Sequence, residues 1–261
     1  GLLVGLGGLI FWQWITLQER EQEGSQHRFA LEAQDIGQRV MARMQAYEMV
    51  LRGVSGLMTG SDRVSPVEWE RALDQLQLQD RYPGIQAVAW SRYLSQAQLG
   101  DFRAELKAEE RSDYQLFPEG EREYYLPIDY VSPLDWRNRR VLGFDMLSEA
   151  IRRQAIERSL ESGDASLSGP VVLRQEIDVN VQQGVLLFLP VFRPGVPLNT
   201  VEQRRAALLG TVHGAFRSHD LIEGILGSQT RLFDIVLKDQ QAPDTVLLNG
   251  ESRDAATTPA F

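Results

Sequence analysis

Regularly spaced apolar residues between Phe29 and Met58 constrain the fold of the N-terminal part of the chain more than any other feature. Apolar side chains recur there at steps of seven, four and three residues. This a/d spacing predicts a coiled-coil-like helix with one apolar face, the seam. The seam must pack against the following domain, against a second subunit in a homodimer, or against both. It consists of Phe29, Ile36, Val40, Met44, Tyr47, Leu51, Val54 and Met58.

The segment before the seam predicts a membrane anchor. Residues 1–17 read GLLVGLGGLIFWQWITL and carry no charged side chain. At ~1.5 Å per residue they would cover about 25 Å of the ~30 Å hydrocarbon layer. Trp12 and Trp14 stand where an aromatic belt marks the lipid boundary, and the acidic flank that follows favours the non-cytoplasmic side. A cleaved signal peptide is the alternative, but no small-x-small site follows. We expect a truncated transmembrane helix at 1–17 in the lipid bilayer of the inner (cell) membrane and a stalk and dimerisation helix at 18–60.

Beyond Gly60, short segments rich in strand formers alternate with segments of helical periodicity. Ser65-Pro66 followed by Glu68 predicts a helix start, and IQAVAWSRYL at 85–94 predicts a strand. This alternation predicts an α+β fold. Two prolines at 194 and 197 lead us to expect a larger, distal unit at 61–193, a smaller unit at 194–250 and a linker at 251–261. Further strands are predicted near 124–131, 171–175, 185–192, 206–216, 232–238 and 245–248, and further helices near 95–110, 148–161 and 219–226.

Charge and composition argue against several classes of function. The formal net charge of −9 repels phosphate backbones, so nucleic acid is not an expected partner. Cysteine is absent, which excludes disulfides, thiolate catalysis and cysteine metal sites. The three histidines, His27, His213 and His219, lack the spacing of metal ligands. Without a P-loop or a GxSxG elbow, we expect no catalytic residue, no metal and no cofactor, and no enzymatic activity in this chain.

Three segments together carry a family pattern. They are PGIQAVAWSRYL at 83–94, LGFDMLSEAIRRQAIERSLESGDASLSGPVVL at 142–173 and GVLLFLPVFR at 184–193. The pattern resembles the CHASE domain, the extracytoplasmic sensor of many histidine kinases and cyclic di-GMP enzymes, including plant cytokinin receptors. The later segment LLGTVHGAFRSHDLIEGIL at 208–226 fits the same family, so the likeness covers about residues 65–248.

The resemblance implies a receptor of known organisation. It implies a long stalk helix followed by two PAS-like units with antiparallel sheets, of which the membrane-distal unit holds a small-molecule ligand. It also implies dimers joined through the stalk and a second transmembrane helix beyond the linker. The chain would then be the periplasmic sensor region of a bacterial two-component or cyclic di-GMP receptor, with a histidine kinase or diguanylate cyclase as the output domain. An adenine-like ligand, as in cytokinin receptors, is one expectation.

Residue by residue, the resemblance also implies a ligand-binding site. Asp145 matches the pocket aspartate that meets the ring nitrogens of adenine in cytokinin receptors, and Leu167 matches a pocket-edge position in the turn SLSGP. Tyr130 and Phe188 match strand positions that line the cavity. Phe188 stands where the plant pattern has threonine, which would shrink the pocket. From the residues themselves, Trp90, Tyr130, Phe188 and Phe216 lie on predicted strands and could wall an apolar cavity or belong to the core.

Asp145 has a second interpretation that does not involve a ligand. A carboxylate between Phe144 and Met146 cannot be buried without a partner. It therefore faces a ligand or pairs with an arginine such as Arg139 or Arg140, and it could also cap the helix that begins near Ser148. At the level of the whole chain, the alternative to a ligand sensor is a structural or protein-interaction module that mediates receptor dimerisation with its cores filled by side chains.

Overall fold

The computed structural model describes residues 2–61, 63–111, 113–173, 183–227, 235–238 and 246–250, with 2–29, 235–238 and 246–250 described by their backbone alone. The chain divides into two compact units, Gly1–Met44 and Gln45–Phe261. The helices are α1 (Leu2–Gly60), α2 (Pro66–Asp74), α3 (Leu78–Arg81), α4 (Leu99–Ala108), α5 (Ala150–Ser162), α6 (Val201–Ala207) and α7 (Ser218–Leu226). The strands are β1 (Ile85–Arg92), β2 (Leu94–Ser95), β3 (Tyr124–Tyr125), β4 (Ile128–Ser132), β5 (Ser166–Leu167), β6 (Val171–Val172), β7 (Gln183–Phe192), β8 (Leu208–Arg217), β9 (Ile235–Lys238) and β10 (Val246–Gly250).

The first unit contains the N-terminal part of α1. Asp35 and Arg39 form an ion pair one turn apart, and the seam residues Ile36, Val40 and Met44 are half-buried. The expected anchor at 1–17 lies outside the residues whose side chains are described. Among the residues that the structure describes, no helix is both long enough and apolar enough to cross a bilayer.

The second unit begins on the same helix, where the seam is buried. Tyr47, Leu51 and Val54 are 0–3 % exposed. The ring of Tyr47 lies 4.8 Å from the ring of Phe216 on β8, and its hydroxyl donates a hydrogen bond to the carbonyl of Pro83. The prediction that the seam packs against the following domain is therefore confirmed for this stretch of the helix.

A six-stranded antiparallel sheet forms the centre of the second unit. Its strand order is β4-β1-β8-β7-β5, and β6 pairs with the other end of β7. The long strand β7 is apolar along nearly its whole length and buried on both faces, as expected for a strand between two layers. The predicted α+β class, with antiparallel sheets after a long helix, is confirmed.

The pairing of β7 with β8 crosses the domain boundary that was expected between residues 193 and 194. That boundary falls between β7 and β8, which pair along their whole length, and β8 lies between β1 and β7. Residues 208–217, assigned from the sequence to the smaller unit, are thus the middle of the larger one. Beyond them, β9 and β10 form a separate two-stranded sheet, near the strands predicted at 232–238 and 245–248.

Strand alternation gives the sheet two buried faces. Residues directly opposite each other on paired strands share a face, and successive residues point to opposite faces. One face, the α5 face, forms a core with α5 and the segment 141–147. The other, the stalk face, packs against α1 and α2 through Phe216 and Tyr130. The α5 face presents Ala87, Ala89, Ile128, Val131, Leu186, Phe188, His213 and Ala215, and the stalk face presents Val88, Trp90, Tyr130, Val185, Leu187, Leu189, Val212 and Phe216.

Candidate functional site

A small cavity lies between the α5 face of the sheet and the layer that covers it. Its volume is about 20 Å³. A cavity of this size holds roughly one water molecule, so a larger ligand requires the covering layer to move outward. The cavity is lined by Ala87, Ala89, Ile128, Val131, Val141, Phe144, Met146, Arg152, Leu173, Leu186, His213 and Ala215.

Alanines form the floor of the cavity on neighbouring strands. Ala87 on β1 stands opposite Ala215 on β8, and Ala89 stands opposite His213. Central strands normally carry β-branched and aromatic side chains, which fill the space above the sheet. Three alanines at adjoining positions leave that space to groups from outside the sheet.

His213 is a buried polar group in this apolar wall. Its side chain is 3 % exposed, and its Nδ1 has no hydrogen-bond partner among the described residues. Burial, together with the nearby charge of Arg152, lowers the pKa of His213 to about 3. The imidazole is therefore neutral at physiological pH, and its ring lies 5.3 Å from the ring of Phe188.

Arg152 brings a cation into the same wall. It lies on the buried face of α5 and is 5 % exposed. Its guanidinium donates to Oε2 of Glu149 at 2.7 Å and to the carbonyl of Val172 at 2.9 Å, and it lies 5.3 Å from the centre of the Phe144 ring. The carboxylate of Glu149 compensates the charge, which makes the buried cation tolerable.

Asp145 is completely buried beside the cavity and does not line it. Its Oδ1 accepts hydrogen bonds from the backbone N–H groups of Leu126 at 2.9 Å and Leu147 at 3.0 Å. Its Oδ2 lies 3.2 Å from Nη1 of Arg122, an ion pair without hydrogen-bond geometry. Asp145 thus caps the 3₁₀ helix Met146–Ser148. The described arginine that it pairs with is Arg122, where the sequence had suggested Arg139 or Arg140.

Tyr130 and Trp90 lie on the stalk face, one sheet thickness away from the cavity. The hydroxyl of Tyr130 donates to the carbonyl of Val64 at 2.8 Å, and its ring stacks on Trp69 of α2 at 5.6 Å. Trp90 stands opposite Tyr130 and is buried against Gly210, where an added Cβ would come within 2.5 Å of the indole ring. The structure does not bring these two predicted residues to the cavity.

Phe188 and Leu167 also lie on opposite faces of the sheet. Phe188 is fully buried on the α5 face, beside His213. Leu167 stands opposite Leu187, the neighbour of Phe188, so it belongs to the opposite face. Its carbonyl accepts a hydrogen bond from Nη2 of Arg158 at 2.7 Å. Of the five predicted residues, Asp145 and Phe188 lie next to the cavity, while Trp90, Tyr130 and Leu167 do not.

Two polar residues of the cavity, Arg152 and His213, were not among the site residues predicted from the sequence. Arg152 shares the spacing of Ala155, Ile156 and Ser159, which are all buried on α5, so an arginine in an apolar helix face was a usable signal. His213 interrupts the apolar strand LLGTVHGAFR and was considered only as a metal ligand. Among the described residues, no cluster of side chains suits a metal ion.

A buried ion cluster connects β4 to the region after the stalk. Asp129 is 0 % exposed and contacts Arg92 and Arg111, each at 2.8 Å. The guanidinium of Arg111 lies 5.2 Å from the ring centre of Tyr130, the residue that binds the Val64 carbonyl. Burial, reinforced by the charge of Asp129, raises the pKa of Tyr130 far above its ordinary value, so its hydroxyl stays protonated as a donor.

Comparison with known proteins gives a family match and a distant structural similarity. The family model described as CHASE domain matches residues 62–248. The structure is similar to the ligand-binding domain of the amino acid chemoreceptor PctC of Pseudomonas aeruginosa PAO1, solved in complex with GABA. The two share 13 % sequence identity over 82 % of this chain and 70 % of that chain, with a TM-score of 0.47.

Proposed function

The chain belongs to the CHASE domain family of extracytoplasmic sensor domains, and on that premise we propose that it binds a small molecule between the sheet and α5 and transmits occupancy through α1. The finer parts of the proposal are anchoring in the inner membrane by residues 1–17, dimerisation through the stalk and a histidine kinase or diguanylate cyclase as output.

The observation that carries the proposal is a small, largely apolar cavity whose described lining includes one polar atom without a hydrogen-bond partner. A buried polar atom without a partner costs about 1–3 kcal/mol, and Nδ1 of His213 is such an atom within the described part of the chain. A water molecule or a ligand that bonds to it recovers this free energy. Ligand sites are typically apolar cavities with a few such polar groups.

The sheet offers a short path from the cavity to the stalk. Ala215 lines the cavity, and its neighbour Phe216 contacts Tyr47 on α1 from the other face. A ligand that displaces β8 therefore acts on the stalk through one backbone layer. For this to be a signal, the ligand must bind one arrangement of sheet and stalk more tightly than another.

The five residues predicted from the sequence receive two roles in this proposal. Asp145 holds the turn that carries Phe144 and Met146 into the cavity wall, and Phe188 supports His213 from β7. The stalk face carries Trp90, Tyr130 and Leu167, which transmit a displacement of the sheet to the stalk. Tyr130 is the best placed of these three, because it is bonded to Val64, close behind the end of α1.

Isothermal titration of the purified chain against a panel of metabolites tests the proposal. We expect Ala89→Leu, which fills the cavity floor, to weaken binding at least about tenfold through overpacking. The control Ala206→Leu changes an exposed residue of α6 and should bind normally. Asp145→Ala is measured beside them, and unchanged affinity would remove Asp145 from the site. A panel without any binding, or equal affinity in Ala89→Leu, contradicts the proposal.

The small size of the cavity favours one alternative function. A domain whose interior holds only about one water could serve receptor dimerisation without a ligand. Analytical ultracentrifugation distinguishes the two, using Met44→Glu on the seam and Met49→Glu, an exposed position off the seam, as its control. A dimer that forms without any metabolite, dissociates in Met44→Glu alone and binds nothing from the panel supports the alternative.

A further inference from the structure

The polar groups of the cavity select a class of ligand. Resting on the proposed function, we infer that the cavity takes an uncharged, compact and largely apolar molecule with a hydroxyl-like group that forms one hydrogen bond with Nδ1 of His213. None of the residues predicted from the sequence supplies this contact.

Steric complementarity supports an apolar body. The floor is Ala87, Ala89 and Ala215, and the other walls are aliphatic or aromatic apart from Arg152 and His213. A polar substituent pointing at the alanines would lose its hydration without gaining a partner, at a cost of about 1–3 kcal/mol. The molecule therefore presents carbon to the floor and one polar group to β8.

The hydrogen bonds of His213 define the polar group. Nδ1 of His213 is buried and has no hydrogen-bond partner among the described residues. A neutral imidazole has one N–H and one acceptor nitrogen, so the tautomer decides whether Nδ1 donates or accepts. A hydroxyl both donates and accepts, and it can therefore bond to Nδ1 in either tautomer.

Charge complementarity excludes both kinds of ion. A cation would enter beside the guanidinium of Arg152 and be repelled at low dielectric. An anion would compete with the carboxylate of Glu149, which already binds Arg152 at 2.7 Å, and it would also lose its own hydration. From the remaining described elements, Phe188 on β7 and Ala89 on β1 face His213 and contribute no charge.

Four ring compounds of nearly equal size separate these contributions. Phenol is uncharged and donates, toluene is uncharged and does not, benzoate is an anion and benzylamine a cation at neutral pH. Affinities are measured by ligand-observed NMR titration of the purified chain. Because the empty cavity holds about one water, the series is repeated in Met146→Ala, which makes room in the wall.

We expect phenol to bind about tenfold more tightly than toluene, as one hydrogen bond to a buried nitrogen provides, and both ions to bind more weakly than toluene. His213→Leu should reduce the preference for phenol to within about twofold of toluene, while His219→Leu, at an exposed position on α7, should retain it. An ion that binds as tightly as phenol, a preference that survives in His213→Leu, or no binding of any probe in either background overturns the inference.

The outcome is separable from that of the proposed function. If the probes behave as expected and no metabolite binds, the ligand class of the cavity stands while the sensor proposal fails. If a metabolite binds the chain and its affinity is unchanged in His213→Leu, the sensor proposal stands while the inference fails.

Discussion

Lowering the pH should destabilise the domain through His213. The ordinary pKa of histidine is 6.5, and in the folded chain that of His213 is about 3. Because the folded pKa is depressed, the unfolded chain binds more protons below pH 6.5, so stability is complete above that pH and falls as the pH decreases towards 3. Between about pH 6.5 and pH 5 the loss is roughly 1.4 kcal/mol per pH unit, or about 2 kcal/mol in all.

The assay is urea unfolding at about pH 7.5 and pH 5, followed by circular dichroism, on the wild type, His213→Leu and His219→Leu. Carboxylates that titrate in the same range contribute equally to all three proteins, so the difference between wild type and variant isolates His213. We expect His213→Leu to lose about 2 kcal/mol less than wild type on acidification, and His219→Leu to behave as wild type. A decrease in His213→Leu equal to that of the wild type would refute the assignment of a buried, neutral imidazole. The charge of Arg152 acts on His213, and Arg152 and its partner Glu149 are present in every variant.

Three further predictions concern stability at neutral pH, measured by urea unfolding. Asp145→Ala leaves one buried and one partly buried N–H group without their acceptor and should cost about 2–4 kcal/mol; a loss similar to that of the exposed control Glu119→Ala would contradict the capping role. Asp129→Ala removes the buried carboxylate that pairs with both Arg92 and Arg111 and leaves these half-buried side chains with Glu105 and Glu109, so it should cost about 1.5–3 kcal/mol, whereas a neutral effect would show that the cluster is solvated. Gly143→Ala places a Cβ 1.9 Å from the Gln115 carbonyl oxygen at φ +84°, so a loss of at least about 2 kcal/mol is expected, and wild-type stability would exclude this backbone conformation.

Local features of the fold could be predicted from the sequence, because they depend on neighbouring residues. The start of α2 at Ser65-Pro66 follows the predicted capping box, with Glu68 as the reciprocal partner. Thr200 and Gln203 form a second capping box at the start of α6, and this helix was missed although its signal was present. The apolar spacing at Tyr47, Leu51 and Val54 identified the side of α1 that packs.

Pairing between distant strands could not be predicted from the same patterns. The sequence of a strand indicates how buried the strand is but not which strands pair with it, so β8 was assigned to the smaller unit at 194–250. The structure places β8 between β1 and β7 instead.

The same limit explains the outcome for the candidate site. Trp90 and Tyr130 were correctly assigned to strands, but both faces of the sheet are buried, so alternation does not show which face meets the cavity. Asp145 was expected to need a charged partner, and the arginine that pairs with it is Arg122, which is distant from it in sequence. The sequence does not identify His213 as a cavity residue, because Ala87 and Ala89 lie beside it only through the pairing of β1 with β8.

The alternation along β8 has a consequence for how such a domain can diversify. His213 and Ala215 face the cavity, while Val212, Gly214 and Phe216 belong to the stalk face. Under the proposed function, ligand contact and contact with the stalk are therefore encoded in alternate codons of one stretch of gene. Substitutions at every second position could retune what is detected without disturbing the mechanical output, and grafting only those positions between homologous domains is a direct route to receptors with exchanged specificity.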